Sequence, residues 1–367
     1  MVDFNPKALR STLLSSDSKD NYFPGNYPKI DCRRTGLPYL DYLIRGGFPK
    51  GRVIEIYGKN HSGKTALALF YARQRQLQGQ AVGWLDLECA LDVDGYVSSI
   101  IDTHPDKFWY FRPANGEEAL NIFLQLANGG IDTTIGDSLP LFLPQVTAEA
   151  EVGSRQYYGV AGLMAANQNR IIHTCATTGM TMIFLNQQRD NIGVTYGAKT
   201  TQPGGHAIKH LESIRIEIAR ISDVRDMPGA IISRLKIAKS RLGGAQATTD
   251  IEIHGAAGIS PISNMVDALL HLEFATQKGS FYYLKPEHIP EADRDDFRLG
   301  PKGVTMGQGM KKVIAFFDKH KKLYYHLYSL IDMKVKEELT LSASTQQEEL
   351  DKHREVNLNL LVPADSE

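Results

Sequence analysis

The chain has 367 residues, 42% of them hydrophobic, with a formal net charge of −1. That composition excludes a disordered polyelectrolyte and allows one large core with an accessory unit or two. No stretch approaches the ~20 apolar residues of a membrane helix, and MVDFNPKALR lacks the apolar run of a leader, so a cytoplasmic protein with no membrane partner is expected.

Residues 5–16 (NPKALRSTLLSS) predict a short helix, with Asn5 as cap and Pro6 in the first turn. A polar linker containing Pro and Gly extends to about Arg34. Strands and helices then alternate: strand 53–58, helix 65–78, strand 81–88, helix 117–128, a weak strand 132–138, helix 158–178 and strand 180–187. Further strands are expected at 213–221, 232–240 and 249–255. This order argues for an α/β fold, a mainly parallel sheet covered by helices and continued by antiparallel strands. Near Gly258 the alternation stops, and a smaller unit begins: helix 261–272, a hairpin around SFYYL and a helix from Gln308 to about Glu338. Beyond it lies a polar acidic tail. From Glu337 to Glu367 the net charge is −6, which leaves +5 on the rest of the chain. A mildly basic body with an acidic tail suits a polyanion-binding protein, and equally an ordinary solvated tail. The three cysteines, Cys32, Cys89 and Cys175, are far apart and odd in number, and read as buried thiols.

GKNHSGKT, Gly58–Thr65, matches G-x-x-x-x-G-K-S/T between a predicted strand and a predicted helix. Its glycines let backbone N–H groups curl around a phosphate, and the helix start adds partial positive charge. Gly58, Lys59, Asn60, His61, Ser62, Gly63, Lys64, Thr65 and the following Ala66 are therefore candidate nucleotide contacts. Lys64 would reach the β- and γ-phosphates, and the Thr65 hydroxyl would ligate Mg²⁺. Asp137, in TTIGDS, is the candidate second metal ligand, although Thr133, Thr134 and Gly136 are poor residues for a buried parallel strand. Glu88, ending LDLE, could polarise the attacking water; Asp86 is its rival.

With these residues in line, the chain resembles the RecA recombinases of bacteria and phages over nearly its whole length. The resemblance is carried by TGLPYLDYLIRGGFPKGRVIEIYGKNHSGKT, LDLECALD, GDSLPLFLPQVTAEAEVG, MIFLNQQRDNIGV, GGHAIKHLESIRIEI and KIAKSRLGG, and more faintly by KGSFYYL and MGQGMKKVIAFF. It implies a RecA-type P-loop core at 35–258, an N-terminal arm at 1–34 that docks on a neighbouring protomer, and a small α+β C-terminal unit at 259–338 before the 339–367 tail. It also implies ATP and Mg²⁺ as cofactors, Glu88 as the residue that activates water and Asp137 as the metal-binding acid. Gln187 would sense the γ-phosphate, and Lys239 and Arg241 would reach a neighbour's ATP; without the resemblance both cations read as a solvated strand end. Tyr96 would pack on adenine, though DVDGY carries one residue more than the pattern.

The resemblance further implies two DNA-binding loops. The first falls within Glu149–Tyr158, where Arg155 offers charge and Tyr158 a ring, with Arg170 on the following helix; Leu163 stands where another arginine is expected. The second is the long polar segment after MIFLNQ. There Arg189 and Lys199 can bind phosphate, Ile192 is an apolar wedge, and Gly204 and Gly205 allow close approach to a strand. Lys311, Lys312, Lys319, Lys321 and Lys322 could guide duplex DNA or form a solvated face. The expected activity is a DNA-dependent ATPase that forms filaments with its own copies on single-stranded DNA and pairs it with homologous double-stranded DNA. The alternatives are a ring helicase on the same fold and a weakly hydrolysing filament or regulatory protein.

Overall fold

VIEIYG, VGWLD, TTIGD and TMIFLN are buried along their whole length, as a parallel sheet covered on both faces demands. The structure is a computed structural model and describes residues 30–151, 159–190, 200–201, 205–224, 227–243 and 246–361, together with Lys7, Ser11 and Ser15. Of residues 189–190, 200–201, 205–207, 299 and 342–361 it describes the backbone alone. The chain divides into Met1–Asp31 and Cys32–Glu367. The helix expected over residues 5–16 lies in the first unit and outside the described residues, apart from Lys7, Ser11 and Ser15.

The second unit holds a main sheet of nine strands: β1 (Val53–Gly58), β2 (Val82–Asp86), β3 (Phe108–Phe111), β4 (Thr133–Asp137), β5 (Thr181–Gln187), β6 (Ile214–Asp223), β7 (Ile231–Ser240), β8 (Thr248–Ile253) and β9 (Ile259–Ser260). The spatial order is β9-β8-β7-β6-β1-β5-β4-β2-β3. Pairing is parallel from β3 through to β6 and antiparallel from β6 outward to β9. Eight helices are labelled: α1 (Pro38–Leu43), α2 (Lys64–Leu77), α3 (Gly116–Asn128), α4 (Val160–Thr178), α5 (Gly205–Leu211), α6 (Pro261–His271), α7 (Gly309–Lys319) and α8 (Lys321–Leu361).

The two-residue period of the strands sorts the core into two layers. Ile54 and Ile56 of β1 and Ile183 and Leu185 of β5 join α1 and α2 on one face of the sheet. Val53, Met182 and Phe184 join α3 and α4 on the other. The strand read as weak, β4, is fully buried and in register with both neighbours. Its small residues make room for large ones: a Cβ on Gly136 would lie 2.8 Å from Phe142, whose ring meets Phe184 edge-on at 5.5 Å. Leu163, where a basic residue was expected, is buried in the same layer against Gly116.

The C-terminal unit packs α6, α7 and α8 on a small antiparallel sheet, β10 (Ala275–Lys278), β11 (Phe281–Leu284), β12 (Leu299–Gly300) and β13 (Gly303–Gln308), ordered β10-β11-β13-β12. Two differences from the sequence expectation stand out. The helix expected from Gln308 to Glu338 is broken at His320, which leaves helical geometry while its ring sits 4.8 Å from both Phe297 and Phe316. The second half then continues to Leu361 through most of the polar tail, a stretch without Gly or Pro. The cysteines differ as well: Cys175 is buried, Cys32 partly so, and Cys89 is exposed in the turn after β2.

Candidate nucleotide site and the segment beside it

The loop between β1 and α2 is compressed in a way that only its glycines permit. A Cβ on Gly58 would lie 2.1 Å from the Ile218 carbonyl oxygen, and one on Gly63 2.2 Å from Ile253. Gly63, at φ +100, is the N-cap of α2 and supplies no side chain to the orphan N–H groups behind it. The Ser62 hydroxyl is buried and has no hydrogen-bond partner among the described residues. An uncapped helix start and an unsatisfied hydroxyl are what an anion would complete.

Lys64 Nζ donates to the carbonyls of Gly58 (3.1 Å) and Lys59 (2.9 Å), so the ammonium is folded back over its own loop. Burial pulls its pKa below the ordinary value, although Asp137 and Glu88 pull the other way. Thr65 Oγ1 lies 3.5 Å from Asp137 Oδ2 and donates to it. These hard oxygens at the ends of α2 and β4 fit Mg²⁺, which binds through few protein ligands and keeps its waters. Burial raises the Asp137 carboxyl to about 7, with Glu88 and Asp86 adding to the rise and Lys64 and Thr65 opposing it. A cation beside Asp137 would restore its charge. The Asp137–Ser138 peptide is cis.

Asp86 and Glu88 are distinguished by their partners. Asp86 is buried and already accepts hydrogen bonds from Leu91 N (3.1 Å), Ala90 N (3.4 Å) and Tyr110 Oη (2.7 Å). Glu88 is exposed, receives the Ser138 hydroxyl, and accepts from Gln187 Nε2 at 2.8 Å. The acid beside the phosphate loop therefore touches the residue that ends β5. The sequence gives no spacing signal for this pair, since its members are 99 residues apart. Tyr96 lies in a five-residue π turn, Val93–Val97. Asp92 caps the turn through Gly95 N and Tyr96 N, and the half-buried Tyr96 ring packs against the core layer of α2.

Lys239 is partly buried and Arg241 exposed, but neither extends freely into solvent. They lie at the end of β7, and both donate to carbonyls at the C-terminal end of α5. A second network was also missed: Glu55, buried in β1, receives Arg215 Nε and, at 2.7 Å, Asn186 Nδ2. Its signal was available, because a glutamate inside VIEIYG needs a buried partner.

Of the residues expected to meet DNA, Arg170 is exposed on α4. Arg155, Tyr158, Ile192, Lys199 and Gly204 lie outside the described residues. Arg189 and Gly205 are described by backbone alone. Arg189 pairs with Thr201 in a two-residue antiparallel ladder that brackets 191–199, and Gly205 opens α5. The lysines at 311, 312, 319, 321 and 322 are all exposed. Among the described residues, no helix is long and apolar enough to cross a membrane.

A parallel sheet whose central strand ends in this phosphate loop, with a neighbouring strand-end acid and an antiparallel extension, defines a P-loop protein with a RecA-type core. The family described as the RecA N-terminal domain matches residues 25–260. The chain is 33% identical over 267 residues to Protein RecA of Gloeothece citriformis, covering 72% of this chain and 74% of that one. It is 30% identical over 333 residues to Protein RecA of Rickettsia canadensis, covering 89% and 92%, and 32% identical over 318 residues to Protein RecA of Desulforapulum autotrophicum, covering 86% and 85%. The chain belongs to the RecA family.

Proposed function

We propose that this protein is an ATP-dependent homologous recombinase. Its protomers assemble on single-stranded DNA with Mg²⁺–ATP at each interface, and the filament pairs its strand with a homologous duplex. The observation that carries this reading is the hydrogen bond between Gln187 and Glu88, because Gln187 ends the strand from which the 188–204 segment departs. Nucleotide state at Glu88 can thereby be passed to a polar segment that holds Arg189, Ile192 and Lys199.

In this reading the Gly58–Ala66 loop cradles the triphosphate, Lys64 neutralises its β- and γ-oxygens, and Thr65 and Asp137 hold the metal. Bound Mg²⁺ would offset charge that develops on the phosphates. Glu88 orients and deprotonates water, Tyr96 packs on the base, and Lys239 and Arg241 cross to the neighbour's phosphates. Arg155, Tyr158, Arg170, Gly204 and Gly205 contribute to the DNA path, the 1–34 arm joins protomers, and the basic surface of the 259–338 unit guides duplex DNA.

Electron microscopy with single-stranded DNA and a non-hydrolysable ATP analogue tests the assembly: extended helical filaments are expected, whereas closed rings would favour a helicase. Lys64→Ala should abolish ATP turnover, measured as phosphate release; unchanged turnover would remove the nucleotide site from this loop. Arg189→Ala is expected to weaken single-stranded DNA binding for all sequences and to lower the salt slope by about one unit. A titration at several salt concentrations showing neither change would take Arg189 out of the DNA path.

A further inference from the structure

Two cations in the single protomer already have occupants. Lys239 Nζ donates to the carbonyl of Lys209 and, at 2.9 Å, to that of Glu212; Arg241 Nη2 donates to that of His210. The final carbonyls of a helix have no partner inside it and carry its negative end, so the pair caps α5. Beneath this cap lies the side chain of Glu212, with 0% exposure. Neither of its carboxylate oxygens accepts a hydrogen bond among the described residues, and Oε1 lies 3.7 Å from Lys239 Nζ and 3.5 Å from Arg215 Nε. Arg215 is engaged more closely elsewhere: its Nε bonds Glu55, and its guanidinium lies 4.4 Å from the centre of the Tyr57 ring. Of the two cations beside Glu212, Lys239 is the one not also held by Glu55. An apolar side chain would fill the Glu212 site at lower cost, so the carboxyl calls for a role beyond packing.

We propose that Glu212 is a positioning residue for the phosphate-reaching cations: it holds Lys239 on the end of α5 until a neighbour's triphosphate competes for it. The inference rests on the assignment of Lys239 and Arg241 to the neighbour's nucleotide. Its consequence is that the phosphates and the last turn of α5, the helix that follows the 191–204 segment, cannot hold the same cations at once. Loading ATP at the interface thus releases that turn.

Proton linkage arises from the groups around Glu212, which are Glu55 on β1, Arg215 on β6, Lys239 and Arg241 on β7, and Lys209 and His210 on α5. Burial holds the carboxyl up, to about 7; its own backbone amide, Lys239 and Arg215 lower it, and Glu55 raises it. Departure of Lys239 removes a lowering influence. The opened state then binds more protons near neutral pH, and opening is favoured as pH falls.

The test compares full-length wild type with Glu212→Gln in ATP-dependent assembly on a single-stranded oligonucleotide, between about pH 6 and about pH 8.5, with Lys239→Ala as reference. Glu212→Gln should lower the half-assembling ATP concentration about fivefold at the alkaline end and flatten its dependence on pH. Simple structural damage would raise that concentration instead, and a rise counts against the proposal. Wild-type behaviour of Glu212→Gln, with assembly lost in Lys239→Ala, sinks the proposal and leaves the interface assignment standing. Normal assembly by Lys239→Ala overturns both. Should Glu212→Gln not fold, hydrogen exchange on the wild type decides: faster exchange in the last turn of α5 on assembly with ATP supports the proposal, and unchanged or slower exchange overturns it.

Discussion

Glu88→Gln is expected to reduce DNA-stimulated ATP turnover by a factor of ~10²–10⁴, the usual worth of a positioned general base, while nucleotide still binds. The substitution is chosen to spare the geometry. Ser138 and Gln187 both donate to Glu88 Oε1, and a glutamine carbonyl can accept both hydrogen bonds in its place. What is lost is the capacity to take a proton from water. Single-turnover hydrolysis and a nucleotide-binding titration separate the two effects. Turnover within a fewfold of wild type would move the role of base away from Glu88. Asp86 is a poor successor, since its oxygens are already used by Leu91 N, Ala90 N and Tyr110 Oη.

The second large effect is on stability. Asp41, buried in α1, accepts hydrogen bonds from Thr35 N (2.9 and 3.0 Å), Thr35 Oγ1 (2.6 Å) and the Tyr328 hydroxyl of α8. Asp41→Ala strands these donors in a dry site, and each buried donor without a partner is costly. A loss of roughly 3–5 kcal/mol is expected, read as a lower denaturant midpoint. Burial raises the Asp41 carboxyl to about 6, with Thr35, Tyr328 and Arg34 opposing the rise. Because the folded pKa lies above the unfolded value of roughly 3.9, this residue's contribution is full below about pH 4 and declines as pH rises through about 6. The wild type should therefore exceed Asp41→Ala by more at about pH 5 than at about pH 7.5, by on the order of 1 kcal/mol. A gap that is small or independent of pH would show that Asp41 does not join α1 to α8.

Much of this architecture was legible in the chain. The apolar run VIEIYG and the P-loop spacing mark the central strand and the helix after it, and both lie within a residue of the expected bounds. Asp137 was read correctly as a strand end although its strand looked weak. Propensity could not anticipate that Gly136 is small because Phe142 needs its space. Asp86 and Glu88 could not be separated by pattern, since what distinguishes them is which backbone amides and side chains they meet after folding. The strand FWYF was passed over because four residues of one character have no period to read. Glu212 was invisible for the same reason as the Glu88–Gln187 pair: its partner on β7 is fixed by the sheet and not by any local spacing.

The order of three strands has a consequence of its own. β1, which carries the phosphate loop, lies between β5 and β6, so the chain departs on one flank of the phosphate strand and returns on the other. Gly58 is directly paired with Gln187, and Ile54 with Ile214, so both mooring points are set by hydrogen-bond ladders to the same strand. The length and composition of what hangs between them are left open by those ladders. The stretch between them can therefore change in length and sequence while the pairing of β5, β1 and β6 that shapes the phosphate loop stays the same.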